Sequence, residues 1–232
     1  MTQLLSNKKI FTSGGLNLIT GSAGMGKTAL AFSLVERYNL KPLYIGLNEV
    51  NTEAKIERIK KKYGVKEVKF LNTMSVNRLI DFILENLNKN KESVIIIDNF
   101  ESLSIKSSRF LSKTSKRLNK KVRRLKQLAH ALGLSIIIVG QGSKKLYKTS
   151  LLKYSGFLKF ESAFDHILVP YRWEYFGDDN LYGLKDNGAV ILLANSERQV
   201  LYFSSIFNPT RFVFELTDQR IDFEQRFIFE EN

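Results

Sequence analysis

The sequence predicts an α/β fold, with a mainly parallel central sheet followed by antiparallel C-terminal strands. Three observations carry that reading. Strand-like and helix-like segments alternate over roughly the first 140 residues, as linked βαβ units do. Two continuous apolar runs, residues 94–97 and 136–139, have the composition of parallel strands buried on both faces. Beyond about residue 165, strand-like segments follow one another without long helices between them.

Each element has its own signal. Residues 16–20 read as a strand and 27–38 as the helix after it. A short strand at 42–46 precedes a charged, exposed helix over 52–62, and 68–71 is strand-like. Val76, Leu79, Ile80, Ile83, Leu84 and Leu87 recur at helical spacing, which predicts an amphipathic helix over 75–88. The run 94–97 follows. A long helix is predicted over 117–132, with Val122, Leu125, Leu128, Ala129 and Leu132 on its apolar face and Gly133 as its stop. Residues 136–139 form the next buried strand, and 141–160 lack clean periodicity and read as a long loop. The closing strands are predicted at 167–169, 190–193, 200–203 and 212–216. With no linker, repeat or low-complexity tract, the expected organisation is a short segment 1–13, one domain over 14–216 and a tail 217–232.

Composition excludes several classes. An apolar fraction of 44% is too high for a disordered chain. No apolar run approaches the ~18 residues of a membrane span. Asn7, Lys8 and Lys9 interrupt any signal-peptide pattern, so the expected location is cytoplasmic. The absence of cysteine removes disulfides and thiolate metal sites, and two histidines, His130 and His166, are too few for a typical zinc site. The formal charge of +13 points to a polyanionic partner.

Gly21, Ser22, Ala23, Gly24, Met25, Gly26, Lys27 and Thr28 match the phosphate-binding pattern G-x-x-x-x-G-K-[ST] in full, between a predicted strand and a predicted helix. Glycines let the backbone turn its N–H groups toward phosphate oxygens, and the helix adds the positive end of its dipole. Lys27 is expected to reach the β- and γ-phosphates, and Thr28 to ligate Mg²⁺. The expected cofactors are therefore ATP and Mg²⁺. Asp98, ending the run 94–97, sits where α/β sheets bind ligands and fits a second contact to the cation. Glu49, just past the second strand, is a candidate to polarise the attacking water. Gln141, directly after the strand 136–139 and Gly140, is a candidate γ-phosphate sensor.

Basic residues cluster. Lys106, Arg109, Lys113, Lys116, Arg117, Lys120, Lys121, Arg123, Arg124 and Lys126 occur with no acidic residue among them. A second group interleaves Lys144, Lys145, Lys148, Lys153 and Lys159 with Tyr147, Tyr154, Phe157 and Phe160. Lysines neutralise phosphates and rings offer stacking faces to unpaired bases, so the pair of clusters suggests a path for single-stranded nucleic acid.

The order of these features resembles the RecA-like ATPase domain of DnaB-type replicative helicases over about residues 14–216. Residues 122–141, VRRLKQLAHALGLSIIIVGQ, look like that family's helix, strand and terminal glutamine. Residues 150–156, SLLKYSG, resemble its DNA-contacting loop, Tyr171-Arg172-Trp173-Glu174-Tyr175 resembles the signature that follows, and residues 207–212, FNPTRF, are similar to its closing strand. KaiC- and RadA-like ATPases share the core but match these later segments less well. The resemblance implies a RecA-like P-loop NTPase core that assembles as a homo-oligomer, hexameric in that family. It implies translocation on single-stranded DNA, with RNA as an alternative, and a replication or recombination partner. ATP would lie between subunits, with a lysine and an arginine inserted by the neighbour. Here that lysine is absent from residues 194–199 and Arg198 is the nearest candidate finger; Glu49 stands one residue later than the family's acid. About 13 residues precede Gly14, where the family's helicases carry an N-terminal domain and linker helix. These departures favour a second reading: a nucleotide-switched accessory protein such as a recombination mediator, helicase loader or helicase-like paralogue. A regulatory ATPase that does not touch DNA is a third.

Overall fold

Leu16, Leu18 and Ile19 put apolar groups on both faces of the first strand, so the sheet needs cover on both sides. The computed structural model, which describes residues 14–21, 23–49, 53–73, 75–87, 94–103, 111–141, 164–172, 188–195 and 200–220, provides that cover. Strand β1 (Gly15–Gly21) leads into helix α1 (Lys27–Arg37), then β2 (Pro42–Leu47), α2 (Glu53–Tyr63), β3 (Glu67–Leu71), α3 (Val76–Asn86) and β4 (Val94–Asp98). A 3₁₀ turn (Phe100–Leu103) precedes α4 (Leu111–Leu132) and β5 (Ser135–Gln141). The chain closes with β6 (His166–Arg172), β7 (Gly188–Asn195), β8 (Val200–Asn208) and β9 (Val213–Arg220).

Among the described residues the strands form one sheet in the order β3-β2-β4-β5-β1-β6-β7-β8-β9. The first six run parallel, and β7, β8 and β9 add on antiparallel. This is the RecA-like α/β core expected from the sequence. One face packs Leu16, Leu18, Ile45, Ile97 and Ile138 against Val76, Leu79 and Ile83 of α3 and Val122, Leu125 and Ala129 of α4. The other packs Ile19, Tyr44, Ile96 and Ile137 against α1 and Ile59 of α2. Burying a side chain such as Leu125, fully enclosed, stabilises the fold by about 1.5–3 kcal/mol.

Two helices differ from their predicted form. Leu84, expected on the apolar stripe of α3, is 51% exposed. It follows Ile83 by one residue, a rotation of about 100°, and so leaves the line of Val76, Leu79 and Ile83 that faces the sheet. Helix α4 begins at Leu111, six residues before the predicted 117. Its apolar face starts only at Val122, but neither glycine nor proline interrupts 111–121, so nothing stops the helix from extending. Strand β9 likewise continues to Arg220, past the predicted 216.

Polar groups inside β1 tie three strands together. Asn17, fully buried, donates from Nδ2 to Ser135 Oγ at 3.0 Å, and its Oδ1 lies 3.0 Å from His166 Nδ1. Because the amide nitrogen is directed at Ser135, Oδ1 must accept, which assigns the proton to His166 Nδ1. Burial lowers the His166 pKa below its ordinary 6.5; Asp165 opposes the shift and Lys126 adds to it. The unfolded chain therefore binds more protons in the window just below pH 6.5. Stability from this group is complete above that pH and is lost as the pH falls through the window. His166→Asn keeps a donor for Asn17, and its melting temperature is expected to fall less steeply than wild type between about pH 7 and pH 5.

Candidate nucleotide site

Parallel strands end at a common edge, and that edge gathers the chemistry. Gly21 pairs with Gln141, and Gly46 with Asp98, so the exits of β1, β5, β4 and β2 lie side by side. Gly26 caps α1 with φ 81°, in the left-handed region, and makes no side-chain capping bond. Its carbonyl accepts the first helical bond from Leu30 N–H at 2.8 Å. The amides of the first turn are thus left uncapped by any side chain at the positive end of the helix, where an anion is stabilised. Ala23 and Gly24 are exposed, Met25 is buried, and Lys27 and Thr28 are half-buried. Ser22 lies outside the described residues.

Thr28 Oγ donates to Asp98 Oδ2 at 2.8 Å. A hydroxyl has one proton, so both lone pairs of Thr28 stay available to a cation. Asp98 also receives the Tyr44 hydroxyl on Oδ2 at 3.0 Å and the Asn99 N–H on Oδ1 at 2.8 Å. Burial, then the charges of Asp98 and Glu49, push the Tyr44 phenol far above its usual range and keep it a donor. Tyr44 was not singled out from the sequence. The available signal was a hydroxyl within a strand of otherwise apolar side chains and glycine, which must find an acceptor once buried.

Asn48 brackets the exit of β2. Its Nδ2 donates to Thr73 O at 2.7 Å and Ser102 Oγ at 2.8 Å, its Oδ1 accepts from Thr73 N–H at 2.8 Å, and its own N–H bonds Leu71 O. The asparagine therefore has a structural task at that position. Glu49 follows it, with a side chain only 20% exposed, and forms an ion pair with Lys55 of α2. That pairing was not legible in the sequence. Gly46 makes room for the group: a Cβ there would lie 2.7 Å from the Phe70 ring and 3.3 Å from Glu49 Oε2.

The antiparallel strands reach the same loop. A Cβ on Gly26 would meet the Phe214 ring at 3.0 Å and Phe207 at 3.6 Å. Ser33 Oγ, in α1, accepts the Phe214 N–H at 2.8 Å while donating to Ala29 O. Arg172 is buried with its guanidinium 3.6 Å from the centre of the Phe207 ring, a cation–π contact. Residues 207–212, matched above to a closing strand, instead straddle the turn from β8 to β9.

The AAA domain family matches residues 11–146, a span that holds the P-loop, Asp98 and the end of β5. The chain belongs to the AAA domain family. This AAA domain is a P-loop ATPase in its general class. Its fold is that of DnaB-like helicase ATPase domains. The ATPase domain of one such helicase superposes with a TM-score of 0.67 at 18% identity, covering 89% of this chain and 86% of the other. A DnaB-like replicative helicase, described with its interactions with primase, gives 0.67 and 18%, with 88% of this chain and 57% of that one covered. The AAA domain thus spans little more than half of the second protein's length. A comparison with curated proteins found no match.

The residues of the AAA domain suit a nucleotide with a divalent cation. The uncapped α1 terminus could hold phosphate, and Thr28 with Asp98 could hold the metal. The cation would supply charge neutralisation at the phosphates. Other predicted residues are less defined. The Gln141 backbone ends β5 beside Gly21, but its side chain lies outside the description. Lys144, Lys145, Lys148, Lys153, Lys159 and Arg198 all lie outside the described residues, as do the side chains of Arg117, Lys120 and Lys121. Arg123 and Arg124 are exposed on α4, and Arg124 donates to Asn77 Oδ1 at 2.8 Å. Lys126 instead pairs with Asp165 at 2.6 Å and anchors α4 to the start of β6. The pairing of His166 with Asn195 has β7 leave the sheet at the edge opposite the P-loop.

Among the described residues, no helix is long and apolar enough to cross a membrane.

Proposed function

We propose that this AAA domain is a single-stranded-DNA-stimulated ATP hydrolase that works as a DnaB-type translocating motor. The observation that carries the reading is likeness of fold to a helicase ATPase domain over nearly the whole of both chains, joined to a phosphate loop and a strongly basic helix. Helix α4 runs from the β4 exit back to the β5 entrance, so its basic amino-terminal half lies toward the nucleotide edge. Arg117, Lys120, Lys121, Arg123 and Arg124 would contact DNA phosphates there, with the lysines of 144–159 continuing the path. ATP and Mg²⁺ would be held by residues 21–28 and Asp98, with Glu49 orienting water and Gln141 sensing the γ-phosphate. Arg198 connects strands joined at the opposite edge, so it would serve a neighbouring subunit's nucleotide in a homo-oligomer. Replication or recombination proteins would be its partners, acting in the cytoplasm.

One observation supports the second reading, an accessory switch with weak turnover. Glu49 is held by Lys55, and a carboxylate engaged by an ammonium is a poorer base toward water. Steady-state hydrolysis with and without single-stranded DNA separates the two. The motor predicts at least ~10-fold stimulation that declines steeply with salt, because phosphate contacts release counterions. Tight ATP and DNA binding with negligible turnover would instead make the protein a switch.

A further inference from the structure

We propose that Tyr44 is a positioning residue for the divalent cation: its hydroxyl fixes Asp98 so that Asp98 and Thr28 can meet the metal together. This rests on the reading of the P-loop as an ATP–magnesium site. The argument starts from register. Tyr44 pairs with Ile96 and Gly46 with Asp98, so Tyr44 and Asp98 project from the same face of adjacent strands. Two residues separate them along the strand direction, a span the phenol bridges to reach Oδ2 at 3.0 Å.

The ring cannot readily turn away. Tyr44 is 3% exposed and stacks on Phe32 of α1 at 5.7 Å between centroids. Phe70 of β3 meets it edge-on at 6.5 Å. Phe32 belongs to the helix that carries Lys27 and Thr28, so the phenol is placed by the same element as the phosphate loop.

The Asp98 carboxylate is held at both oxygens: Oδ2 by Thr28 and Tyr44, Oδ1 by the Asn99 N–H. Thr28 is itself a candidate cation ligand and must adjust when the metal arrives. Tyr44 has no lone pair directed to that task and remains as the fixed donor on Oδ2. Outer groups that orient a metal ligand typically change metal affinity by about 10–100-fold when removed.

Tyr44→Phe removes the hydroxyl and keeps both ring contacts. A fluorescent ATP analogue is titrated with Mg²⁺ on wild type and variant, and its binding is also measured in EDTA. The half-saturating Mg²⁺ concentration is expected to rise ~10-fold in Tyr44→Phe, with unchanged affinity in EDTA and an unchanged melting temperature. An unaltered Mg²⁺ dependence would overturn the proposal. So would equal weakening in EDTA, which would mean that Tyr44 supports the loop rather than the cation. Should Tyr44→Phe fail to fold, Asp98→Asn in the wild-type background provides the second test. It keeps the side-chain volume and must raise the Mg²⁺ requirement without altering affinity in EDTA if the carboxylate is the group being positioned. Wild type that binds no analogue at any Mg²⁺ concentration would sink the underlying site assignment instead.

Discussion

Lys27→Ala is expected to weaken ATP binding by ~100-fold or more and to bring hydrolysis to background. The lysine stands at the first position of α1, next to a glycine cap that leaves the helical amides open. A charge-assisted contact to phosphate is among the strongest a side chain makes, and truncating one partner of such a pair costs about 2–5 kcal/mol. Lys27 is half-buried at a helix start where alanine is well tolerated, so the fold should survive the change. Calorimetric titration with ATP checks the loss, and a thermal melt checks that the variant remains folded. A nucleotide affinity equal to wild type would remove Lys27 from the site.

Gly26→Ala is expected to damage both stability and nucleotide binding, for a reason beyond phosphate approach. The residue has φ 81°, and a left-handed conformation costs an alanine about 1–2 kcal/mol. A Cβ would also stand 3.0 and 3.1 Å from carbons of the Phe214 ring. That ring is buried and packs edge-on against Phe207, so it has little room to yield. Overpacking of this kind costs about 1–3 kcal/mol. Together the terms reach about 2–5 kcal/mol, a large fraction of a typical domain's stability. The melting temperature should fall by roughly 5–20 °C, given about 2–4 °C per kcal/mol at this chain length. Phe214→Leu destabilises by itself but relieves the clash, so the double variant should be more stable than the sum of the two losses predicts. Strict additivity in denaturant melts would show that Phe214 is not the obstacle.

The hairpin behind the phosphate loop also explains why the loop can be shaped by distant sequence. Phe214 N–H bonds Ser33 Oγ across 181 residues of chain, and Arg211 pairs with Glu36 at 2.6 Å. The exposed ion pair contributes little to stability, but the buried hydrogen bond fixes β9 against α1.

What the sequence determined by itself rests on local signals. The glycine-rich loop between a strand and a helix, the isoleucine runs of β4 and β5, and the periodic faces of α3 and α4 depend on neighbours a few residues away. Backbone preference and hydrophobic spacing suffice to place them. Asp98 was also legible, because a carboxylate closing an apolar run can only end the strand at the solvent edge. Strand order and sheet twist decided the rest. They bring Tyr44 to Asp98, Lys55 to Glu49 and Phe214 to Gly26, and they move Leu84 off the buried stripe. None of these contacts has a period or a motif. Each depends on which segment packs beside which, and only the burial of two apolar faces on one sheet selects that arrangement.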